Sequence, residues 1–294
     1  MAKPTFDVIV CGSLHLDIVV DAPHLPRLDE TAVGTSWRQV CGGKGGNQAV
    51  QAAKHGAKTA MIGRLGADDF GWRLYAHLDG AGVDRSGVRV ARDARTGMSV
   101  AIIDANGDYG AVIVSGANLS QKATRIVAAW QRLGRARVLV LQNEIPEAAN
   151  IAAADVARKS GALIILNAAP ARSSAAALLD HVDVLLVNRI EAEMLASAPV
   201  VDRASAIAAL PALGAAHRAV IVTLGGGGLV VAARGQPPVE IDALPVTVVS
   251  THGAGDCFAG ALAARLAAGD DIVAASRFAN AAAGRFVSTP RAAS

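Results

Sequence analysis

Aromatic residues are the scarcest ingredient of this chain: three Trp, two Tyr and five Phe in 294 positions. A core cannot then be built around stacked rings. It must come from Ala, Val, Leu and Ile, which dominate the 52% apolar fraction. Cysteine is equally sparse. Cys11, Cys41 and Cys257 stand far apart with no Cys-x-x-Cys spacing, which excludes a disulfide framework and a cysteine zinc site and fits a reducing compartment. No apolar run approaches the ~18 residues of a membrane-spanning helix. The N-terminal residues run straight into a strand pattern without signal-peptide regions. A cytoplasmic protein with no membrane partner is expected. A large excess of one charge sign is missing too: 28 Lys and Arg face 25 Asp and Glu, and no basic cluster stands out, so nucleic acid has no electrostatic footprint. The Walker A and Gly-x-Gly-x-x-Gly loops, internal repeats and low-complexity linkers are also absent.

What is present is alternation of short apolar runs with Ala-rich helical segments. Strands are expected at residues 6–11, 59–63, 138–141, 163–166, 182–187 and 219–224, apolar on both faces as in a parallel sheet covered by helices. A second group (14–20, 31–40, 86–92, 97–104 and 110–115) suits a smaller separate sheet, with Asn106-Gly107 marking a hairpin. A β-branched run over 246–249 reads as one more strand. In doubly wound α/β folds ligands sit at the carboxyl ends of the strands. Polar or glycine residues recur at that edge: Asn143 and Glu144, Asn167, Asn188 and Glu191, Gly225 to Gly228, and Gly253 to Asp256.

Two glycine clusters carry the chemistry. Gly253-Ala254-Gly255 precedes a helix expected at 261–268, and its lack of bulky side chains lets a charged group approach the backbone. N–H groups opening a helix are unpaired and sit at the positive end of its dipole, suiting a phosphate. Asp256 at that spot either caps the helix or accepts a proton from a hydroxyl attacking phosphorus. The second cluster, Gly42-Gly43-Lys44-Gly45-Gly46-Asn47, opens a helix from about residue 47 and is either a flexible loop or a backbone approached by hydroxyl groups. Asp17, alone in an apolar strand, either has a structural partner or faces a ligand.

Gly42 to Ala49 followed by Gly63-x-x-Gly66-x-Asp68-x-x-Gly71, together with Thr251-x-Gly253-Ala254-Gly255-Asp256-x-Phe258-x-Gly260, resemble the two signatures of the ribokinase (phosphofructokinase-B, PfkB) family of carbohydrate kinases. Asn188-x-x-Glu191, Thr223-Leu224-Gly225, Ser115 to Asn118 and Asn167 to Arg172 are similar to further family segments, and the likeness runs in order along the whole chain, closest to the ribokinase branch. The resemblance implies one ribokinase-like α/β domain over residues 1–294: a doubly wound, mainly parallel sheet with helices on both faces, plus a small β-sheet lid that often builds a homodimer. It implies transfer of the ATP γ-phosphoryl group to a sugar hydroxyl, with Mg²⁺. Asp256 then matches the catalytic base and Gly253, Ala254 and Gly255 the anion hole. His15, Asp17, Gly43, Lys44, Gly45, Gly46, Asn47 and Glu144 match sugar positions. Asn188, Thr223, Gly225, Gly226, Gly227, Gly228 and Asn280 match nucleotide positions, and Glu191 the carboxylate that organises Mg²⁺ through water.

Four departures stand out. Ser250 occupies the position of a carboxylate that helps hold a monovalent cation, which puts K⁺ activation in question. His15 replaces an Asn of the sugar site, Asp29 replaces a Gly of the lid hinge, and the chain ends at Ser294, shorter than the resemblance implies. Phosphorylation of a pentose or related furanose is the leading expectation. A nucleoside kinase of the same fold and a sugar- or nucleotide-sensing homologue without turnover are the alternatives.

Overall fold

The computed structural model describes residues 5–106, 108–172, 176–214 and 219–289. Its main sheet is built from β1 (Phe6–Cys11), β4 (Thr59–Gly66), β5 (Asp84–Ala91), β8 (Ala136–Gln142), β9 (Leu163–Asn167), β10 (Val184–Asn188), β11 (Ala219–Thr223), β12 (Leu229–Ala233) and β13 (Val239–Ile241). The order is β13-β12-β11-β10-β9-β8-β1-β4-β5. All pairs from β11 to β5 are parallel, and only the pairs β11–β12 and β12–β13 are antiparallel. Alternation along β1 divides the core between the two faces. Ile9 and Cys11 join one apolar cluster with Trp130 and Leu139, while Val8 and Val10 join the other with Leu14 and Phe258.

The helices follow the strands: α1 (Lys44–Lys54), α2 (Asp69–Gly80), α3 (Ala123–Leu133), α4 (Glu147–Lys159), α5 (Ala176–Leu179), α6 (Arg189–Ala196), α7 (Arg203–Gly214), α8 (Ala254–Ala268) and α9 (Ile272–Ser288). A four-stranded sheet stands beside the main one, formed by β2 (His15–Asp21), β3 (Ser36–Gly42), β6 (Gly97–Ile103) and β7 (Tyr109–Val114) in the order β3-β2-β6-β7. Trp37, Val112 and Ile113 lie exposed on it. Asn118 fastens this sheet to the body. Buried, it accepts from the Leu14 N–H at 2.9 Å and donates to the Leu14 carbonyl at 2.8 Å. Among the described residues no helix is long and apolar enough to cross a membrane.

Several expectations need correction. Residues 86–92 belong to the main sheet, because β5 pairs in parallel with β4 and buries Val88 against it. The run at 246–249 forms no strand. Val248 and Val249 are exposed, and the Val249 N–H donates to the Val287 carbonyl at the end of α9 instead of to a neighbouring strand. Of residues 31–40 only those from Ser36 onward are extended, and the strand continues to Gly42. The antiparallel strands β12 and β13 were not anticipated. Helix α1 begins at Lys44, so Gly45 and Gly46 are part of its first turn, and α8 begins at Ala254 rather than near residue 261. The hairpin between β6 and β7 is present, with Gly107 outside the described residues. Asp29, where the resemblance has Gly, holds a φ of 61° in the left-handed region.

Helix α8 crosses α1 at Gly260. A Cβ there would lie 2.6 Å from the Gln51 Cβ, 2.7 Å from the Gln48 carbonyl oxygen and 2.8 Å from the Ala52 nitrogen. Two of these are backbone atoms, so the helices would have to separate. Gly260→Ala is expected to lower stability by about 1–3 kcal/mol, read as a lower urea midpoint with an unchanged slope; an unaltered midpoint would show that the crossing has slack.

Candidate active site

Asp256 lies in the first turn of α8, yet it does not cap the helix. The cap position is Gly253, whose φ of 76° is one that glycine adopts without strain, and it makes no side-chain cap bond. The Asp256 carboxylate instead faces α1. Its Oδ2 accepts from Asn47 Nδ2 at 3.0 Å and its Oδ1 from Gln48 Nε2 at 2.9 Å. Gln48 is oriented in turn by Gln142, whose Nε2 donates to Gln48 Oε1 at 2.8 Å. Asp256 is 8% exposed, and burial pushes its pKa up. The Lys44 ammonium and the two amide donors pull it back, while the Glu144 carboxylate adds to the rise.

The glycine turn at the start of α1 sets the opposite wall. A Cβ at Gly45 would come within 2.6 Å of the Ser13 nitrogen, so only glycine lets this turn lie on the Gly12-Ser13 backbone. Glu144, just after β8, ties the two segments together. It accepts from the Lys44 N–H at 3.0 Å and from the Ser13 hydroxyl. Its Oε2 also lies 4.0 Å from His15 Nδ1, and the other ring nitrogen of His15 is buried with no hydrogen-bond partner among the described residues. Asp17 has a structural partner, its Oδ1 accepting from Ser99 Oγ on β6 at 2.6 Å, and the residue also lines a cavity of about 530 Å³ with Gly42, Asn47, Gly253 and Asp256.

Asn188 and Glu191 form a reciprocal cap on α6. Asn188 Oδ1 accepts from the Glu191 N–H at 3.0 Å, and Glu191 Oε2 accepts from the Asn188 N–H at 2.8 Å. Burial raises the Glu191 pKa, which also responds to Lys44 and Asp256, so the pair belongs to the same electrostatic cluster. Thr223 is the register partner of Asn188 on the neighbouring strand. The turn Gly225–Gly227 follows directly, and side chains at Gly225 or Gly226 would meet only open space. Gly228 closes the turn at φ 83°, its carbonyl accepting from the Leu224 N–H at 2.8 Å.

Of the sequence-predicted residues, Glu144, Asn188, Glu191, Thr223 and Gly225 to Gly228 lie at or just after the carboxyl ends of main-sheet strands. His15 and Asp17 lie on β2 of the small sheet, and Gly43 to Asn47 and Gly253 to Asp256 lie at the starts of α1 and α8, with two residues apart from these groups. Asn280, on α9, donates from Nδ2 to the Asp242 carbonyl at 2.7 Å, a bond that ties α9 to the chain after β13. Ser250 is exposed, and its N–H shares the Val287 carbonyl with that of Val249, at 3.2 and 2.8 Å. Position 250 therefore offers no carboxylate to a monovalent cation, the group that the resemblance has there. For Mg²⁺ the donor set does fit. No group of three His, Cys, Asp or Glu able to hold a metal exists among the described residues, and Mg²⁺ commonly binds through one or two carboxylates plus substrate phosphates. Glu191 supplies such a carboxylate, with one oxygen left over from the cap.

Ser13, Gln48 and Gln142 were missed from sequence. Gln48 stands inside the quoted signature, but nothing local shows that its amide points at a carboxylate 208 positions away.

Known proteins resemble this chain over nearly its whole length. The pattern defining the pfkB family carbohydrate kinases matches residues 5–294. The ribokinase of Bacillus subtilis is 36% identical over 277 residues, covering 94% of this chain and 91% of its own. The deoxyribokinase of Salmonella typhi is 31% identical over 274 residues, covering 92% and 89%. Among solved structures, Arabidopsis thaliana ribokinase complexed with ribose and ATP superposes with a TM-score of 0.88 at 31% identity, covering 99% of this chain and 95% of that one.

Removing one of the two amide donors strips stabilisation from the ionised form of Asp256 only. Gln48→Leu is therefore expected to shift the Asp256 titration to higher pH than in the unaltered protein, followed by carbon NMR of the carboxyl. An unmoved titration would show that Gln48 does not act on the carboxylate.

Proposed function

This chain belongs to the pfkB family of carbohydrate kinases and is an ATP-dependent carbohydrate kinase, and we propose that it phosphorylates a ribose-like pentose with Asp256 as the base. The carrying observation is the Asp256 carboxylate, buried and held by Asn47 and Gln48 beside the cavity that Asp17 and Gly42 also line.

In this reading the sugar sits between the small sheet and the start of α1. Asp17, Asn47, Lys44, Glu144 and the backbone of Gly43 to Gly46 meet its hydroxyls. His15 adds a ring nitrogen that has no protein partner among the described residues. The nucleotide lies along Asn188, Thr223 and Gly225 to Gly228. Asp256 takes the hydroxyl proton as that oxygen bonds to the γ-phosphorus, and the bond from phosphorus to the β-phosphate oxygen breaks, releasing ADP. The N–H groups of Gly253 and Gly255, at the positive end of α8, stabilise charge on the transferring group, while that of Ala254 donates to the Thr251 carbonyl at 3.2 Å. Mg²⁺, when bound through Glu191, neutralises phosphate charge. Phosphoryl transfer is mainly positioning and charge stabilisation, which such a fixed frame supplies.

The reading is tested by ADP release from MgATP with ribose, deoxyribose, other furanoses and nucleosides. Silence across that panel with ATP still bound would leave a sensor rather than an enzyme. Asp256→Asn is expected to lower kcat by about 10²–10⁴-fold while ATP affinity stays within a few-fold; a matching fall in ATP affinity would remove Asp256 from the role of base. His15→Asn is expected to raise kcat/KM for ribose relative to other pentoses. Unchanged preference would place His15 outside the sugar site.

A further inference from the structure

No Lys/Arg cluster stands out in the sequence, but the fold brings Arg89 and Arg92 together with Arg125 and Arg132. A cleft of about 740 Å³ opens along β5, the outer strand of the main sheet, between α2 and α3. Its lining includes Arg89 and Arg92 from β5 and the residue after it, and Arg125 and Arg132 from α3, with no carboxylate. Among the described residues no ion pair involves any of these four arginines. Trp72, 55% exposed, forms another wall and stacks on Tyr75 with ring centroids 5.8 Å apart. The cleft shares no residue with the cavity around Asp256.

Edge strands are commonly guarded by charge against pairing with another chain. Here that task is met by other contacts. The Tyr75 hydroxyl donates to the Val88 carbonyl at 2.9 Å, and Arg132 Nη2 donates to the Ser86 carbonyl at 2.7 Å. Arg89, Arg92 and Arg125 remain over. Guanidinium groups gathered in one cleft without counter-charge repel one another and lower their energy by taking up an anion. Their planar forks match phosphate oxygens two at a time.

We propose that this cleft is a second ligand site, binding a small molecule that bears two or more phosphate groups. Its occupant is either an inorganic polyphosphate or a nucleoside diphosphate whose ring lies on Trp72. The shared chemistry is a chain of phosphates across the arginines.

Trp72 reports on the site directly. Of the three tryptophans Trp130 is buried, so Trp37→Phe leaves Trp72 as the exposed emitter. Pyrophosphate titrated into that protein is expected to change Trp72 emission saturably. Arg89→Ala with Arg125→Ala is expected to weaken the interaction at least about tenfold, since each hydrogen bond to a charged group contributes on that scale. Both side chains are exposed; should the double variant not fold, Arg125→Glu alone on α3 gives the same reading. Tighter binding of ADP than of pyrophosphate, lost in the arginine variant, would assign the nucleotide, and equal binding would assign the inorganic chain. No saturable change, an unaltered response in the variants, or the same response to sodium chloride at equal ionic strength would overturn the proposal.

Discussion

A buried carboxylate is a strong constraint on everything around it. Asp256 is ionised only if the free energy lost on leaving water is offset locally, and two amide donors plus a nearby ammonium provide the offset. All three groups come from the first five residues of α1. That segment must therefore lie against the first turn of α8, and the two helices must cross closely enough to hold it there. Gly260 permits the crossing, because any larger side chain would meet the α1 backbone. The demand continues inward. Gln48 is fixed by Gln142 at the end of β8, and Asn150 on α4 donates to the Gln142 carbonyl at 2.7 Å. One carboxylate is thus braced by elements from both faces of the sheet.

The small sheet depends on the same frame. The first turn of α1 rests on Ser13, and Glu144 joins Ser13 to Lys44. Leu14, the next residue, is gripped through both backbone groups by Asn118, and His15 then opens β2. His15 pairs with Gly42 in the register of β2 and β3, immediately before the glycine turn. Three consecutive residues therefore connect Glu144, the glycine turn and the small sheet.

Much of this was legible in the sequence, and the limits have physical causes. Both-face-apolar runs located the parallel strands, since only strands covered on two sides lack polar alternation. The two glycine clusters were visible because close approach and positive φ leave glycine as the residue of choice. Their helices started earlier than propensity suggested, because tertiary contacts hold Gly45 and Gly46 in helical conformation despite their intrinsic cost. The run at 246–249 misled because β-branched residues mark strands only where a partner edge exists, and the Val287 carbonyl takes that backbone instead. Residues 86–92 were assigned to the wrong sheet because strand pattern carries no address. The arginine cleft and the Ser13, Gln48 and Gln142 contacts join positions distant in sequence, so only the folded chain shows them.

The balance at Asp256 also bears on how the proposed base would work inside the proposed anion-binding turn. The positive end of α8 attracts a phosphate and a carboxylate alike, and the two repel each other. Burial raises the proton affinity of Asp256, which favours taking a proton from a weakly acidic hydroxyl, but carried too far it would leave the group protonated and idle. Asn47, Gln48 and Lys44 limit the rise without cancelling it. Once the carboxyl accepts the proton its charge disappears, and its repulsion with the transferring group goes with it. The same helix terminus is then left to the phosphate alone. An arrangement that looks unfavourable at rest, two anions at one helix end, becomes favourable as the proposed reaction proceeds.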